Sequence, residues 1–353
     1  MKKLLCMLSC TATMAYAQQE KPNVVVILVD DMGIGDVSTY GASAVPTPNL
    51  DKFAKEGLQL NNFYSAAPVS SPARAGITTG RYPIKYQMNT YLDNRAANRR
   101  VENADYLDSS APTMTHAFQD AGYATGHFGK WHMGGGRDVT DAPQIEEYGF
   151  DEYVSTYESP SPDPKLTSTN WIWANSDEVK RWNRTAYFID KAIAFMKENA
   201  DNDKPFFLNL WPDDMHTPWV PEALAEKRGR WESKEAFMPV MEEFDKQMGR
   251  FFDAIDEMGL RDNTIVIFTS DNGPAPSFQQ KRTCGKHFKG EHPAVEPHEQ
   301  HHRPRPNSTA RDHSSNHGLI QGLEAEVALA EIHKARHQTI GTKLKSHIYC
   351  IRE

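Results

Sequence analysis

Two acidic segments, far apart in the chain, carry the residue types that bind a hard divalent cation. Asp30 and Asp31 come directly after one apolar run, and Asp271 and Asn272 come after another. Adjacent carboxylates repel each other unless a positive charge lies between them. Oxygen ligands from two strand ends suit Ca²⁺ or Mg²⁺. Each pair alone is also typical of a turn, but their position after two separate apolar runs favours a metal site.

A second segment with unusual spacing covers residues 70–81, which read SSPARAGITTGR. A Ser-x-Pro-x-Arg pattern begins at Ser70 and ends at Arg74, and a Thr-Gly-Arg triplet begins at Thr79. The first pattern is common by chance. Its combination with the triplet and with an upstream pair of aspartates is not, and it is therefore specific enough to suggest a family.

With these features the chain resembles the formylglycine-dependent type I sulfatases of the alkaline-phosphatase-like superfamily, in particular their serine-type bacterial members. The pattern at residues 70–81 is similar to the sulfatase signature, which opens with Cys or Ser. The resemblance extends over about residues 21–285. The other segments that match family motifs are residues 23–36, Thr47–Asp51, Gly129–His132 (G-K-W-H), His216–Pro218 (H-x-P) and Asp271–Gly273 (D-N-G).

The resemblance implies a mechanism for a serine that is otherwise a weak nucleophile. In the family this residue is oxidised to formylglycine, whose hydrate offers one hydroxyl that attacks sulfur and a second that later loses a proton. Ser70 would be that residue, and it would bind Ca²⁺, or alternatively Mg²⁺, with the acidic segments. The implied metal ligands are Asp30, Asp31, Ser70, Asp271 and Asn272.

The remaining roles follow from the matched motifs. Arg74 and Lys130 would hold the hydrate and the sulfate, His132 would take the proton of the hydrate, and His216 would face the oxygen of the leaving group. Substrate binding would involve Lys130, His216 and, as the nearest approximation to a further family lysine, Lys289. Outside such motifs, these residues would be read as surface cations and core histidines.

The implied activity is hydrolysis of a sulfuric ester in a sulfated carbohydrate, such as a glycosaminoglycan or mucin-type glycan, or in an aryl ester. A serine in the signature further implies the anaerobic sulfatase-maturing enzyme as a partner. Two alternatives stay open, namely a phosphodiesterase or phosphonate hydrolase of the same superfamily and an inactive, truncated relative. The sugar, the sulfated position and the choice between exo and endo action are not determined.

Apolar patterns predict the elements that position these residues. Residues 24–29 form a continuous β-branched and aliphatic run, and residues 206–211 and 264–269 are similar, as is typical of strands buried in a parallel sheet. Apolar residues spaced three and four apart predict helices over 188–196 and 241–258. This alternation predicts an α/β fold with a mainly parallel sheet flanked by helices, with functional groups at the carboxyl ends of the strands.

Composition narrows the possible classes of function. The formal net charge is −8, and residues 281–353 carry 12 Lys and Arg against 8 Asp and Glu, so the remainder is strongly acidic. An acidic body argues against nucleic acid as a partner. All four cysteines lie outside residues 11–283, which excludes a catalytic thiol from the main body.

Residues 1–17 have the pattern of a secretory signal peptide. Two lysines precede an apolar run that ends in Ala15-Tyr16-Ala17, which predicts cleavage near Ala17 and a secreted or periplasmic protein. The run is too short to span a bilayer. Lipid anchoring at Cys10 is a weaker alternative, since it would leave almost no apolar region before the cysteine.

The composition changes after about residue 285. Residues 281–353 contain 10 of the 14 histidines and, of the 36 aromatic residues, only Phe288 and Tyr349. We expect the catalytic domain to occupy residues 18–285 and residues 286–353 to form an atypical, disordered His- and Pro-rich tail. On this reading the C-terminal subdomain that the resemblance implies is missing, and our hypothesis is a shifted reading frame near residues 281–290. A divergent tail that captures metal through its histidines is the alternative.

Overall fold

The computed structural model describes residues 21–40, 43–60, 63–166 and 173–275, together with the backbone of residues 347–349. The described strands form one sheet of seven, in the order β2-β7-β6-β1-β5-β3-β4, and every pairing between neighbouring strands is parallel. The strands are β1 (Asn23–Val29), β2 (Leu58–Gln59), β3 (Ala124–Gly129), β4 (Glu152–Ser155), β5 (Phe206–Trp211), β6 (Thr264–Ser270) and β7 (His347–Tyr349).

Helices cover both faces of this sheet. Apolar residues of α1, α5 and α6 join one core cluster, and those of α2 and α4 join a second cluster on the opposite face. The described α-helices are α1 (Pro48–Glu56), α2 (Ser70–Thr79), α3 (Arg95–Arg100), α4 (Met114–Asp120), α5 (Arg184–Asp201) and α6 (Lys234–Glu257). The arrangement confirms the predicted α/β fold class, with a parallel sheet between layers of helices. Among the described helices, none combines the length and apolarity that crossing a bilayer requires.

β1 lies at the centre of the sheet, between β5 and β6. Val25, Ile27 and Val29 face the cluster that contains α5 and α6, whereas Val26 and Leu28 face the cluster that contains α2. A central strand with helices on both faces has no solvent-exposed side, which explains why its sequence is a continuous apolar run rather than an alternating one.

α6 is the longest described helix, and its apolar stripe explains its position. Phe237, Met241, Phe244, Met248 and Phe251 recur at helical spacing and are all buried in the first cluster. The helix begins after Ser233, whose hydroxyl accepts a hydrogen bond from the Ala236 N–H. It ends before Gly259, which adopts a positive φ of 70° as expected for a residue that terminates a helix.

Strand β7 was not predicted from the sequence. Its three residues lie within the segment 286–353 and pair with both β2 and β6. The predicted signal peptide at residues 1–17 and the rest of the predicted tail lie outside the described residues, as does Lys289, which was predicted to bind substrate. Their expected properties therefore stay predictions.

Candidate active site

Because all the strands are parallel, the residues that follow them meet at one edge of the sheet. Asp30 and Asp31 follow β1, and Asp271 and Asn272 follow β6, which is its direct neighbour. On the other side of β1, residues that follow β3 and β5 approach the same edge. The predicted site residues that come after β3 and β5 are Lys130, His132 and His216.

Helix α2 brings a serine hydroxyl and a guanidinium group to this edge from the side. Ser70 is its first residue and is only 6 % exposed, and Arg74 lies one turn later on the same face, where it is fully buried. The helix therefore directs its N-terminus, the positive end of its dipole, toward the acidic cluster. It ends at Gly80, whose positive φ of 63° closes the last turn.

The acidic segments form one compact cluster. Carboxylate oxygens of Asp30, Asp31 and Asp271 all lie within 4.8 Å of one another. The Ser70 hydroxyl donates a 2.9 Å hydrogen bond to Asp30 Oδ1 and lies 3.5 Å from Asn272 Oδ1. The structure thus brings together the five residues that were predicted as metal ligands, and all of them present oxygen atoms.

Two buried cations hold this cluster together. Arg74 Nη2 lies 3.0 Å from Asp30 Oδ1 and 3.0 Å from Asp271 Oδ2, and Lys130 Nζ lies 2.8 Å from Asp30 Oδ2. Burial alone would raise the pKa of Asp30. Electrostatic interactions with Lys130, His216 and Arg74 outweigh it and hold the pKa of that carboxyl well below its usual range, so Asp30 is ionised.

Asp271 shows that these two cations do not fully neutralise the cluster. Its burial, with the nearby charges of Asp30 and Asp31, raises the pKa of this carboxyl to about 7, although Arg74 opposes the shift. Three carboxylates facing two cations leave a deficit of positive charge. An oxygen-only donor set with this deficit fits a hard divalent cation, and Asp30, Asp31, Asp271 and Asn272 would hold it beside Ser70.

The two histidines differ in their surroundings. The side chain of His216 is 24 % exposed, and its Nε2 lies 3.7 Å from Asp31 Oδ2. His132 is buried, which lowers its pKa to about 4 even though the neighbouring Glu158 raises it. His132 is therefore a neutral base at pH 7. His216 is partly exposed and lies at the solvent-facing side of the cluster.

Residues outside the predicted set complete a narrow cavity beside the cluster. They join Asp30, Lys130 and His216 in lining it, and they are Thr156, Glu158, Arg181 and Asp213. Sequence reasoning missed all of them. Asp213 and Asp214 follow β5 much as Asp30 and Asp31 follow β1, so this signal was present. Glu158 is a single carboxylate in a loop, and no motif marks it.

Asp213 is the centre of a buried ionic network. Its Oδ2 lies 2.6 Å from Arg181 Nη1 and 2.6 Å from Arg184 Nη1. Arg181 Nη2 also donates to the backbone carbonyl groups of Asp213, at 2.7 Å, and of His216, at 3.3 Å. The network therefore fixes the backbone of the segment that contains His216.

Comparison with known proteins gives consistent matches. The family described as Sulfatase matches residues 22–305. An N-acetylgalactosamine-6-O-sulfatase of Bacteroides thetaiotaomicron is 31 % identical over 314 residues, covering 72 % of this chain and 59 % of that protein. The human N-acetylgalactosamine-6-sulfatase is 32 % identical over 287 residues, covering 74 % and 52 %.

Solved structures agree with these relatives. A sulfatase from the glycosaminoglycan metabolism of Bacteroides thetaiotaomicron superimposes with a TM-score of 0.55 at 29 % identity, and the match covers 72 % of this chain and 63 % of that one. The chain spans little more than half the length of the curated relatives that it matches.

Proposed function

Because the chain belongs to the sulfatase family, we propose that it hydrolyses sulfate esters of carbohydrates at the cluster around Ser70. One observation carries the proposal. The Ser70 hydroxyl lies at the N-terminus of a helix, within hydrogen-bonding distance of an ionised Asp30 that Arg74 and Lys130 also contact. A nucleophile position, an oxygen-rich cation site and buried positive charge thus coincide in one place.

The proposed chemistry combines this chain's residues with two groups that the family implies. Formylglycine at position 70 and a divalent ion, which we propose to be Ca²⁺, would supply the nucleophilic oxygen and additional positive charge. Asp30, Asp31, Asp271 and Asn272 would hold the ion. Arg74 maintains the distance between the two acidic segments, because one of its nitrogens contacts both Asp30 and Asp271.

Lys130 and His216 offer hydrogen-bond donors to an anionic group beside the cluster. Lys130 lines the cavity with its ammonium against Asp30, and His216 lines it from the side of β5. We propose that Lys130 binds a sulfate oxygen and that His216 faces the oxygen of the leaving group. Preorganised donors of this kind stabilise the charge that develops on the transferred group. His132, neutral at pH 7, would accept the proton that the second hydroxyl of the hydrate releases.

The names of the relatives indicate which substrates to test first. Several of them are named as N-acetylgalactosamine-6-sulfatases, from both bacterial and mammalian sources. We therefore propose a sulfated sugar, with a 6-sulfated N-acetylgalactosamine as the first candidate. We further propose that an anaerobic sulfatase-maturing enzyme converts Ser70 and that the protein is exported, as the pattern of residues 1–17 predicts.

The test uses the full chain co-expressed with an anaerobic sulfatase-maturing enzyme. Mass spectrometry of the peptide that contains Ser70 reports whether the aldehyde forms. Hydrolysis is then measured on an aryl sulfate, on N-acetylgalactosamine 6-sulfate and on an aryl phosphodiester, with Ser70→Ala as the control. We expect sulfate release that requires the aldehyde. Faster cleavage of the phosphodiester, or no turnover by a protein that carries the aldehyde, would contradict the proposal.

A further inference from the structure

Glu158 is a buried carboxylate that has no role in the mechanism described above. It lies in the loop after β4, is 7 % exposed and lines the cavity beside the acidic cluster. Its Oε2 lies 3.3 Å from His132 Nε2, and its Oε1 accepts a 2.9 Å hydrogen bond from Arg137 Nη2. Burial would raise the pKa of Glu158, but His132, Lys130 and Arg137 together lower it. The carboxylate is therefore ionised, and both of its oxygens face a nitrogen.

The partners of His132 determine which of its ring nitrogens carries the proton. Nε2 lies 3.1 Å from the Leu92 carbonyl oxygen and close to the Glu158 carboxylate. Both groups can only accept a hydrogen bond, so Nε2 must be the N–H. Nδ1 is buried and has no hydrogen-bond partner among the residues that the structure describes. In the neutral ring, Nδ1 consequently holds an available lone pair.

A backbone hydrogen bond also holds His132 and Glu158 close to each other. The His132 N–H donates a 3.0 Å hydrogen bond to the Glu158 carbonyl. Glycines allow the two loops to approach this closely, because a Cβ on Gly135 would lie 2.2 Å from Pro160 N and one on Gly136 would lie 2.9 Å from the Tyr157 carbonyl oxygen. Glu158 and His132 are therefore held together by more than one side-chain contact.

The surrounding charges explain why a carboxylate is needed here. Lys130 and Arg74 both act against a positive charge on His132, and burial acts in the same direction. Among the groups that shift the pKa of His132, Glu158 supplies the carboxylate that opposes them. Without Glu158 the pKa of this ring would be lower still, and the ring would be a weaker proton acceptor.

We propose that Glu158 is a positioning residue that keeps His132 in the Nε2–H form and stabilises the imidazolium that forms when Nδ1 accepts a proton. In that step the O–H bond of a hydroxyl at position 70 breaks, its electron pair stays on the oxygen, and an N–H bond forms at Nδ1 with the lone pair of that nitrogen. Nε2 keeps its own proton, and Glu158 stays ionised beside Arg137. This proposal rests on the proposed function, since the step belongs to sulfate ester hydrolysis.

The kinetic test compares Glu158→Gln and Glu158→Asp with a matched control, Glu152→Gln, which lies on β4 at an exposed position. Removal of the charge should lower kcat on an aryl sulfate by about 10–100-fold with little change in KM. The acid limb of the kcat profile should move to lower pH, because the ring loses proton affinity. The Asp variant should recover part of kcat, and the control should behave as the wild type.

A second measurement does not depend on activity. The protein is labelled with ¹⁵N-histidine, and the signals of His132 are identified by their loss in His132→Gln. The two ring nitrogens of His132 should then show the distinct ¹⁵N chemical shifts of a protonated Nε2 and an unprotonated Nδ1. An Nδ1–H ring, or a Glu158→Gln variant with kcat within about twofold of wild type and an unmoved acid limb, would overturn the proposal. If the wild type hydrolyses no sulfate ester, the proposed function fails, while the tautomer measurement still decides how His132 is held.

Discussion

Ser70 Oγ lies 2.9 Å from Asp30 Oδ1, and this hydrogen bond joins the first residue of α2 to the carboxyl end of β1. The same carboxylate oxygen accepts a hydrogen bond from Arg74 Nη2 at 3.0 Å. Asp30 therefore keeps two charged partners, Arg74 and Lys130, when the serine hydroxyl is removed. A change at Ser70 should affect the chemistry of the site far more than the fold around it.

We expect Ser70→Ala to abolish turnover while the free energy of unfolding changes by only about 1 kcal/mol, the typical contribution of one hydrogen bond. Sulfate release from an aryl sulfate and urea unfolding provide the two measurements. Ser110→Ala, at an exposed serine in a turn, serves as the matched control and should retain full activity. Activity of the Ser70 variant above a few per cent of wild type would contradict the role of this residue.

Chelation should destabilise the protein, because it would remove positive charge from three carboxylates whose oxygens lie within 4.8 Å of one another. An ion present at 100 times its Kd stabilises the folded state by about 2.7 kcal/mol. We expect EDTA to lower both Tm and activity and Ca²⁺ to restore them. Asp271→Ala should lose this response, and Asp253→Ala, at an exposed position on α6, should keep it. A wild-type Tm and activity that are both insensitive to EDTA would argue against the cation site.

Asp213→Asn should destabilise the protein strongly, because it removes the carboxylate that contacts the buried guanidinium groups of both Arg181 and Arg184. Loss of one partner from a buried ion pair typically costs about 3–5 kcal/mol. Asp190→Asn provides the comparison, since it removes the partner of Arg250 in an exposed pair and should have a much smaller effect. Urea unfolding of both variants gives the free energies, and equal losses would show that burial of the network is unimportant.

Asp214 should make stability depend on pH. Burial and the neighbouring Asp213 raise its pKa to about 6, although Arg181 opposes the shift. Between the pKa of the unfolded chain, near 4, and that value, the folded state binds more protons than the unfolded state. The contribution of Asp214 to the free energy of unfolding should therefore fall, by on the order of 2 kcal/mol, as pH rises from about 4 to 6. Asp214→Asn should remove this part of the slope in urea unfolding curves, and parallel curves for the two proteins would contradict the assignment.

Gly135→Ala should damage both stability and catalysis. The residue has a φ of 92°, and an added Cβ would lie 2.2 Å from Pro160 N. The resulting strain and displacement should lower the free energy of unfolding by more than about 1 kcal/mol and move Glu158 away from His132. Gly229→Ala, where the added Cβ meets no atom within 4 Å, is the matched control. We expect kcat to fall only in the Gly135 variant. An unchanged kcat in that variant would show that the conformation of this loop does not affect catalysis.

Much of the fold was predictable because its signals are local. The apolar run before Asp30 reflects the burial of β1 alone, and the helical spacing between residues 241 and 258 reflects the burial of one face of α6. The prediction of an α/β fold with a parallel sheet is confirmed on that basis. The proximity of Asp30 to Asp271 followed from one further rule, that the carboxyl ends of parallel strands share an edge.

The residues that were missed depend on contacts between segments that have no common pattern. Glu158 contacts His132 where two loops approach each other at Gly135 and Gly136, and the sequence around neither residue indicates the other. The Asp213 network could be predicted only with the knowledge that Arg181, just before α5, and Arg184, its first residue, lie against the end of β5. Strand β7 lies in a segment whose composition predicted no strand.

The central position of β1 has a consequence for how the chain folds. Both of its partner strands are distant in sequence, as shown by the contacts of Asn23 with Phe206 and Thr264, which lie 183 and 241 residues later. During synthesis, the Val-Val-Val-Ile-Leu-Val run of β1 therefore cannot pair until the ribosome has released the residues of β5 and β6. Such non-local pairing is slow, and an unpaired run of this kind promotes aggregation. The yield of native protein should consequently depend on translation speed and chaperone supply rather than on the strength of the finished sheet.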